Sequence, residues 1–152
     1  MEPRGIRNQN PLNIRRTGEK WEGMAMVQDD ASFVQFRTMA YGYRAAWKIL
    51  DTYAERFRRE RKGFTVNHLI RRWVPPTEND TKHYTDAVLR MTGLGGNERL
   101  QPPHTRRDTV KLANLLAAMT VMENGIPWTE VDRDAIWEGY DLAFPYTASW
   151  AA

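Results

Sequence analysis

The residue best placed for acid–base chemistry is Glu123. It sits near the end of the stretch from Asp108 to Gly125, DTVKLANLLAAMTVMENG. Leu112, Leu115, Leu116, Met119 and Met122 recur at i, i+3, i+4, i+7 and i+10. That spacing is the apolar stripe of an amphipathic helix. Asp108 or Thr109 is placed to cap its start, and Asn124-Gly125 to end it in a left-handed C-cap. Glu123 follows Met119 by four residues and Leu116 by seven, so it shares the buried side. It also lies in the last turn, where the helix dipole is negative. Desolvation and dipole both disfavour its anion and raise its pKa, as a general acid working near neutral pH requires. The plainer reading is a helix-end carboxylate reaching into solvent.

Other chemistries find less support. The chain has no cysteine, which excludes a disulfide framework, a thiolate zinc site and a cysteine nucleophile. His68, His83 and His104 have no metal-ligand spacing and read as ordinary surface or core residues. No metal and no cofactor is implied. The formal charge is +3, with basic residues at Arg4, Arg7, Arg15 and Arg16 and in RFRRERK from Arg56 to Lys62. This suits a polyanion, either nucleic acid or an acidic wall polymer, although Arg56–Lys62 also fits a solvated helix end. The small charge, without an aromatic-interleaved basic motif, argues against nucleic acid.

The elements that must position Glu123 follow from composition and period. At 152 residues, 41% apolar and 27% charged, the chain is expected to fold as one globular domain, 1–152, with 1–4 and 145–152 loosely held. No run of eighteen apolar residues occurs, so no membrane span is expected. MEPRGIRNQN has no apolar core of a secretory signal. Synthesis in the cytoplasm is therefore expected, and action outside it would require release by lysis or an injection device.

GIRNQNPLNIR (5–15) is polar and turn-rich; its asparagines either pin a loop or face a polar ligand. Residues 21–37 read as a β-hairpin, with WEGMAMV and SFVQFR as arms, Gln28-Asp29-Asp30-Ala31 as the turn, and Trp21, Phe33 and Phe36 as anchors. From Tyr41 the period is helical through Tyr43, Ala46, Trp47, Leu50, Tyr53 and Ala54, ending at Lys62-Gly63. Thr65 caps a helix with Val66, Leu69, Ile70 and Trp73 on one face, stopped by Pro75-Pro76. TENDT (77–81) is a polar turn before a helix carrying Tyr84, Val88 and Met91. Gly93, Gly95 and Gly96 open the longest irregular stretch. After Pro127, Thr129 or Asp132 starts a last helix with Ile136, Trp137 and Tyr140 inside; Trp150 is free to dock. About five helices and one small β-hairpin place the chain in the α+β class, mostly α.

Several blocks resemble a known family. GIRNQNPLNIR followed by Trp21-x-Gly23 is similar to the opening of small phage virion-associated and prophage proteins with a lysozyme-like domain. The likeness continues through Phe33-x-x-Phe36, Tyr43-Arg44-Ala45-Ala46, Trp73-x-Pro75-Pro76-x-Glu78-Asn79-Asp80-Thr81-x-x-Tyr84 and Met122-Glu123-Asn124-Gly125, and spans about residues 4–143. One departure is Leu12-Asn13 where the pattern has Pro-Gly-Asn, which moves a turn glycine. Cell-wall glucosaminidases carry similar blocks with the Glu-bearing helix first, so this chain looks like a circular permutation of a lysozyme-like fold. Glu78-Asn79-Asp80-Thr81-x-x-Tyr84 is also similar to a lytic transglycosylase motif that sets a tyrosine near the catalytic acid.

The resemblance implies a peptidoglycan-degrading enzyme, a glycosidase or lytic transglycosylase whose partner is the peptidoglycan glycan strand. Glu123 would protonate the oxygen of a β-1,4 bond between N-acetylated sugars. A hydrolase needs a second carboxylate, for which Asp29, Asp30 and Glu78 are candidates. A transglycosylase needs none: the same glutamate returns as base and the sugar's 6-hydroxyl attacks. Tyr84 would orient Glu123 or the substrate amide, or simply fill the core. Asn8, Asn10, Asn13, Asn79 and Thr81 would bind the N-acetyl sugars, against loop-holding for the first three; Glu78 also fits a helix cap. The rival reading is a non-catalytic virion structural or interaction protein on the same scaffold, with other virion or secretion-apparatus proteins as partners.

Overall fold

Each stretch with an apolar period near 3.6 forms a helix in the computed structural model, which describes residues 1–74 and 78–146, with side chains at 1–74 and 80–146. The helices are α1 (Arg4–Arg7), α2 (Met39–Arg59), α3 (Val66–Trp73), α4 (Glu78–Thr92), α5 (Thr109–Asn124) and α6 (Arg133–Ala143). Two short 3-10 turns lie at Pro103–Thr105 and Trp128–Glu130. None of these helices is long and apolar enough to cross a membrane. The stop at Pro75-Pro76 and the docking of Trp150 fall outside the described residues.

The β-hairpin expected at 21–37 does not form, and the fold is all-helical among the described residues rather than α+β. Among the described residues two isolated antiparallel bridges occur, Arg15 with Phe33 and Met24 with Phe36. The Ala25 N–H donates to the Gln35 carbonyl (2.9 Å) and the Arg37 N–H to the Gly23 carbonyl (2.8 Å), but toward the turn side chains take the bonds that a ladder would use. The Gln28 amide donates to the carbonyls of Ala25 (2.9 Å) and Gln35 (2.6 Å) and accepts from the Gln35 N–H (2.9 Å). The Gln35 side-chain oxygen accepts from the N–H groups of Asp29 (2.6 Å) and Asp30 (3.1 Å). Gly23 turns the chain at φ +81°, where an added Cβ would lie 2.1 Å from the Tyr41 ring, so only glycine fits.

Asn10 does similar work on the preceding loop. Its side chain is fully buried. It donates to the carbonyls of Ile14 (2.9 Å) and Val34 (2.8 Å) and accepts from the Ile14 N–H (2.9 Å). Asn10→Ala removes the partner of the Ile14 N–H and of the Val34 carbonyl, while the Ile14 carbonyl keeps the Val34 N–H at 3.0 Å, so a loss of about 2 kcal/mol is expected. Thermal unfolding measures it as a fall of roughly 4–8 °C in Tm. A fall under about 2 °C would show that this amide is not what holds the loop.

The chain forms two compact units. One comprises residues 1–48 with the chain from Asp132 onward; the other is residues 49–131, so α2 runs from the first into the second. In the first, Trp47 is fully buried, donates its indole N–H to the Ile136 carbonyl (2.9 Å) and meets Tyr140 edge-on at 4.8 Å. Trp137, expected inside, is 39% exposed. In the second unit α4 packs on α5 and on α3. There α5 is buried almost all round: Ala113, Ala117 and Ala118 join Leu112, Leu115, Leu116 and Met119 in the core, while Met122 is only half-buried. The stripe read from the sequence is one side of a core helix.

Helix ends follow local chemistry. Thr65 caps α3 by accepting from the His68 N–H at 3.2 Å. Asp132 caps α6 through the Ala135 N–H at 3.0 Å. The carboxylate of Asp108 does not cap α5 but accepts from the Gln101 N–H at 2.7 Å. The predicted polar turn at 77–81 is corrected from Glu78 onward, where α4 begins. Its Glu78 and Asp80 suit the positive end of a helix dipole. α2 ends at Arg59, before the expected Lys62-Gly63, because Arg61 takes the left-handed position at φ 59° while Lys62 N–H reaches back to the Phe57 carbonyl at 2.7 Å.

Candidate active site

The last turn of α5 presents Glu123 on a rigid base. Thr120 Oγ1 donates to the Leu116 carbonyl at 2.8 Å, and the Asn124 amide donates to the Thr120 carbonyl at 3.0 Å. Gly125 closes the helix at φ 65°, its N–H on the Val121 carbonyl at 2.8 Å. The turn contains no basic residue, so its negative end is not offset from within the helix. Glu123 is half-buried, neither sealed in the core nor standing out in solvent.

Tyr84 comes from α4 to meet it. Its hydroxyl donates to Glu123 Oε2 at 3.0 Å, across 39 residues of sequence. Tyr84 is 8% exposed and lies one helical turn before the buried Val88. Burial pushes the phenol well above its ordinary pKa; the charge of Glu123 and the hydrogen bond between them push it further. Tyr84 therefore keeps its proton over any working pH. It gives the carboxyl group a fixed donor that sets the orientation of Oε2. Buried as it is, its hydroxyl meets the surface through Glu123.

Thr81 lies three residues before Tyr84, on the neighbouring turn of α4, and is half-buried; its carbonyl accepts from Thr85 Oγ1 at 2.7 Å. Glu78 and Asn79 belong to the first turn of α4, and their side chains lie outside the described residues.

In the other unit, Asn8 and Asn10 hold structure rather than offering themselves to a ligand. Asn10 has no exposed surface. The Asn8 amide donates to Asp30 Oδ2 at 3.0 Å. Asn13 is half-buried and takes the left-handed conformation at φ 53°, which asparagine tolerates better than most residues. Leu12, where the family pattern has glycine, keeps ordinary backbone and buries its side chain in the core, 1% exposed.

Asp30 is the hub of that loop, a role the sequence reading missed. Arg4 Nε and Nη2 grip its two oxygens at 2.7 and 2.6 Å. The N–H groups of Ser32 and Phe33 donate to Oδ1 at 2.9 and 3.0 Å. With Asn8 this makes five donors on one carboxylate, too many for a catalytic base. Arg4 foremost, then Asn8, hold its pKa far below the usual carboxylate range. The signal in the sequence was the Asp30-x-Ser32 spacing, that of an Asx-turn. Its unfolded pKa is about 3.9, so the stabilisation is complete above that pH and fades as pH falls toward the depressed folded value. Thermal stability is expected to drop between about pH 4 and pH 2, and Asp30→Asn to flatten that drop. An unchanged slope in the variant would contradict the hub.

Among the described residues no cluster of three His, Asp or Glu side chains is positioned to hold a metal ion. The pairing the structure does bring together is Glu123 with Tyr84, a carboxyl group oriented by a permanently protonated phenol at the end of a buried helix. Such a group can deliver and recover a proton.

No family model matches the chain. Over 145 residues it is 37% identical to "Protein P5" of Pseudoalteromonas phage PM2, a match covering 93% of this chain and 82% of that protein. The chain belongs to the family of that phage protein.

Proposed function

We propose that this member of the protein P5 family degrades peptidoglycan, cleaving the β-1,4 bond between N-acetylated sugars with Glu123 as general acid and base. The observation that carries the reading is the Tyr84 hydroxyl on Glu123 Oε2 at 3.0 Å. A carboxyl group at the end of a core helix, oriented by a buried donor, is what a proton-delivering residue needs. On this reading the helical scaffold is of the lysozyme-like kind, α5 is its catalytic helix, and the protein acts from the virion or at the host wall.

Glu123 in its acid form protonates the glycosidic oxygen as the C1–O bond breaks, and the leaving sugar departs with that proton as a hydroxyl. The resulting carboxylate then takes the proton of the 6-hydroxyl on the retained sugar. That oxygen bonds to C1 and closes a 1,6-anhydro ring. The step consumes no water and leaves Glu123 protonated again. This single-carboxylate route is favoured because Asp30, one of three candidates for a second carboxylate, is occupied by five donors.

Clearing of a suspension of purified cell walls tests the proposal. Wild-type protein is expected to reduce turbidity. Failure to clear walls would replace this reading with a non-catalytic virion protein that binds other virion proteins.

A further inference from the structure

The C-terminal parts of α2 and α3 gather aromatic rings and guanidinium groups at one surface. Tyr53 and Phe57, one turn apart on α2, stack with centroids 6.1 Å apart. Trp73, the last residue of α3, meets Tyr53 edge-on at 6.3 Å. The guanidinium carbons of Arg56 and Arg72 each stand 5.9 Å from the centre of that same tyrosine ring. Tyr53 and Trp73 are half-buried, and Arg71 and Arg72 are exposed.

Among the described residues Arg56, Arg71 and Arg72 form no ion pair. The carboxylates nearest Arg56 in sequence are already engaged: Glu55 by Arg58 and Arg59, Glu60 by Lys62. Two like charges held around one ring repel each other, and an anion placed beside them relieves that repulsion. The ring attracts the cations through its face, but it also offers a flat apolar surface. A ligand matching both features carries flat apolar faces and negative charge together. A neutral sugar chain satisfies only the rings, and a small inorganic anion only the arginines.

We propose that this patch is a docking site for peptidoglycan additional to Glu123: sugar faces rest on Tyr53 and Trp73, while Arg56 and Arg72 take carboxylates of the peptide arms. The choice of polymer rests on the function proposed above. The site itself is read by binding alone.

Co-sedimentation with purified sacculi, using the full chain carrying Glu123→Gln so that nothing is cut, measures it. Arg56→Gln with Arg72→Gln is expected to weaken binding about tenfold. Arg56→Lys with Arg72→Lys keeps the charge and is expected to stay within about threefold of the parent. Arg58→Gln, whose arginine is already paired with Glu55, leaves binding unchanged. Chitin, an insoluble and uncharged N-acetylglucosamine polymer, binds the parent no better than intact sacculi bind the double glutamine variant. The proposal fails if the double glutamine variant binds like the parent, or if Arg58→Gln weakens binding equally. It fails too if chitin binds as tightly as intact sacculi, or if the pair alters binding to a DNA fragment but not to sacculi. Lack of wall clearing by the wild type would sink the proposed activity without touching this result.

Discussion

Glu123→Gln is expected to lower the rate of wall lysis by about a thousandfold, within the range a positioned general acid contributes. Glutamine keeps the shape of the side chain and an oxygen able to accept from Tyr84, so packing at the end of α5 is retained. What disappears is the transferable proton. The melting temperature is expected to stay within a few degrees of wild type. Lysis at the wild-type rate by a folded variant would remove Glu123 from the mechanism.

Tyr84→Phe is expected to lower the catalytic rate by about 10- to 100-fold, less than loss of the acid itself. The phenol donates to Glu123 Oε2 at 3.0 Å, and that bond favours the charged carboxylate over the neutral acid. Without it, the carboxyl group is less well oriented and holds its proton more tightly. The pH dependence of lysis is therefore expected to move to higher pH, with the loss in kcat rather than KM. A merely structural tyrosine would leave the pH profile in place. An unshifted profile, whatever the rate, would reduce Tyr84 to a core aromatic.

The helical part of the fold was legible because the spacing of residues such as Trp47, Leu50, Leu69 and Ile70 admits only one periodic solution. The left-handed end of α5 was legible because Asn124-Gly125 directly follows a helical stripe, where it serves as a C-cap rather than a hairpin turn. The segment 21–37 misled because its alternation suits a strand, whereas Gln28 and Gln35 satisfy the backbone through their side chains. That competition has no periodic signature. The end of α2 was missed because Arg61, not a glycine, takes the left-handed position. In the site, the helix alone offers Glu123 as a candidate beside the plainer reading of a solvent-facing carboxylate, and the family resemblance is what favours the first. Its partner Tyr84 lies on another helix, and only a family motif hinted at the pairing. Asn8 and Asn10 were read as ligand binders or loop holders; the fold gave both to the loop, through Asp30 and the backbone of Ile14 and Val34.

The most direct measurement is mass spectrometry of the soluble fragments released from purified sacculi by wild-type protein and by Glu123→Gln. The expected result is muropeptides ending in a 1,6-anhydro sugar from the wild type and none from the variant. Reducing ends in place of anhydro ends would overturn the single-carboxylate route. No fragments from the wild type, or the same fragments from both proteins, would contradict the assignment of Glu123 as the acid that breaks the glycan.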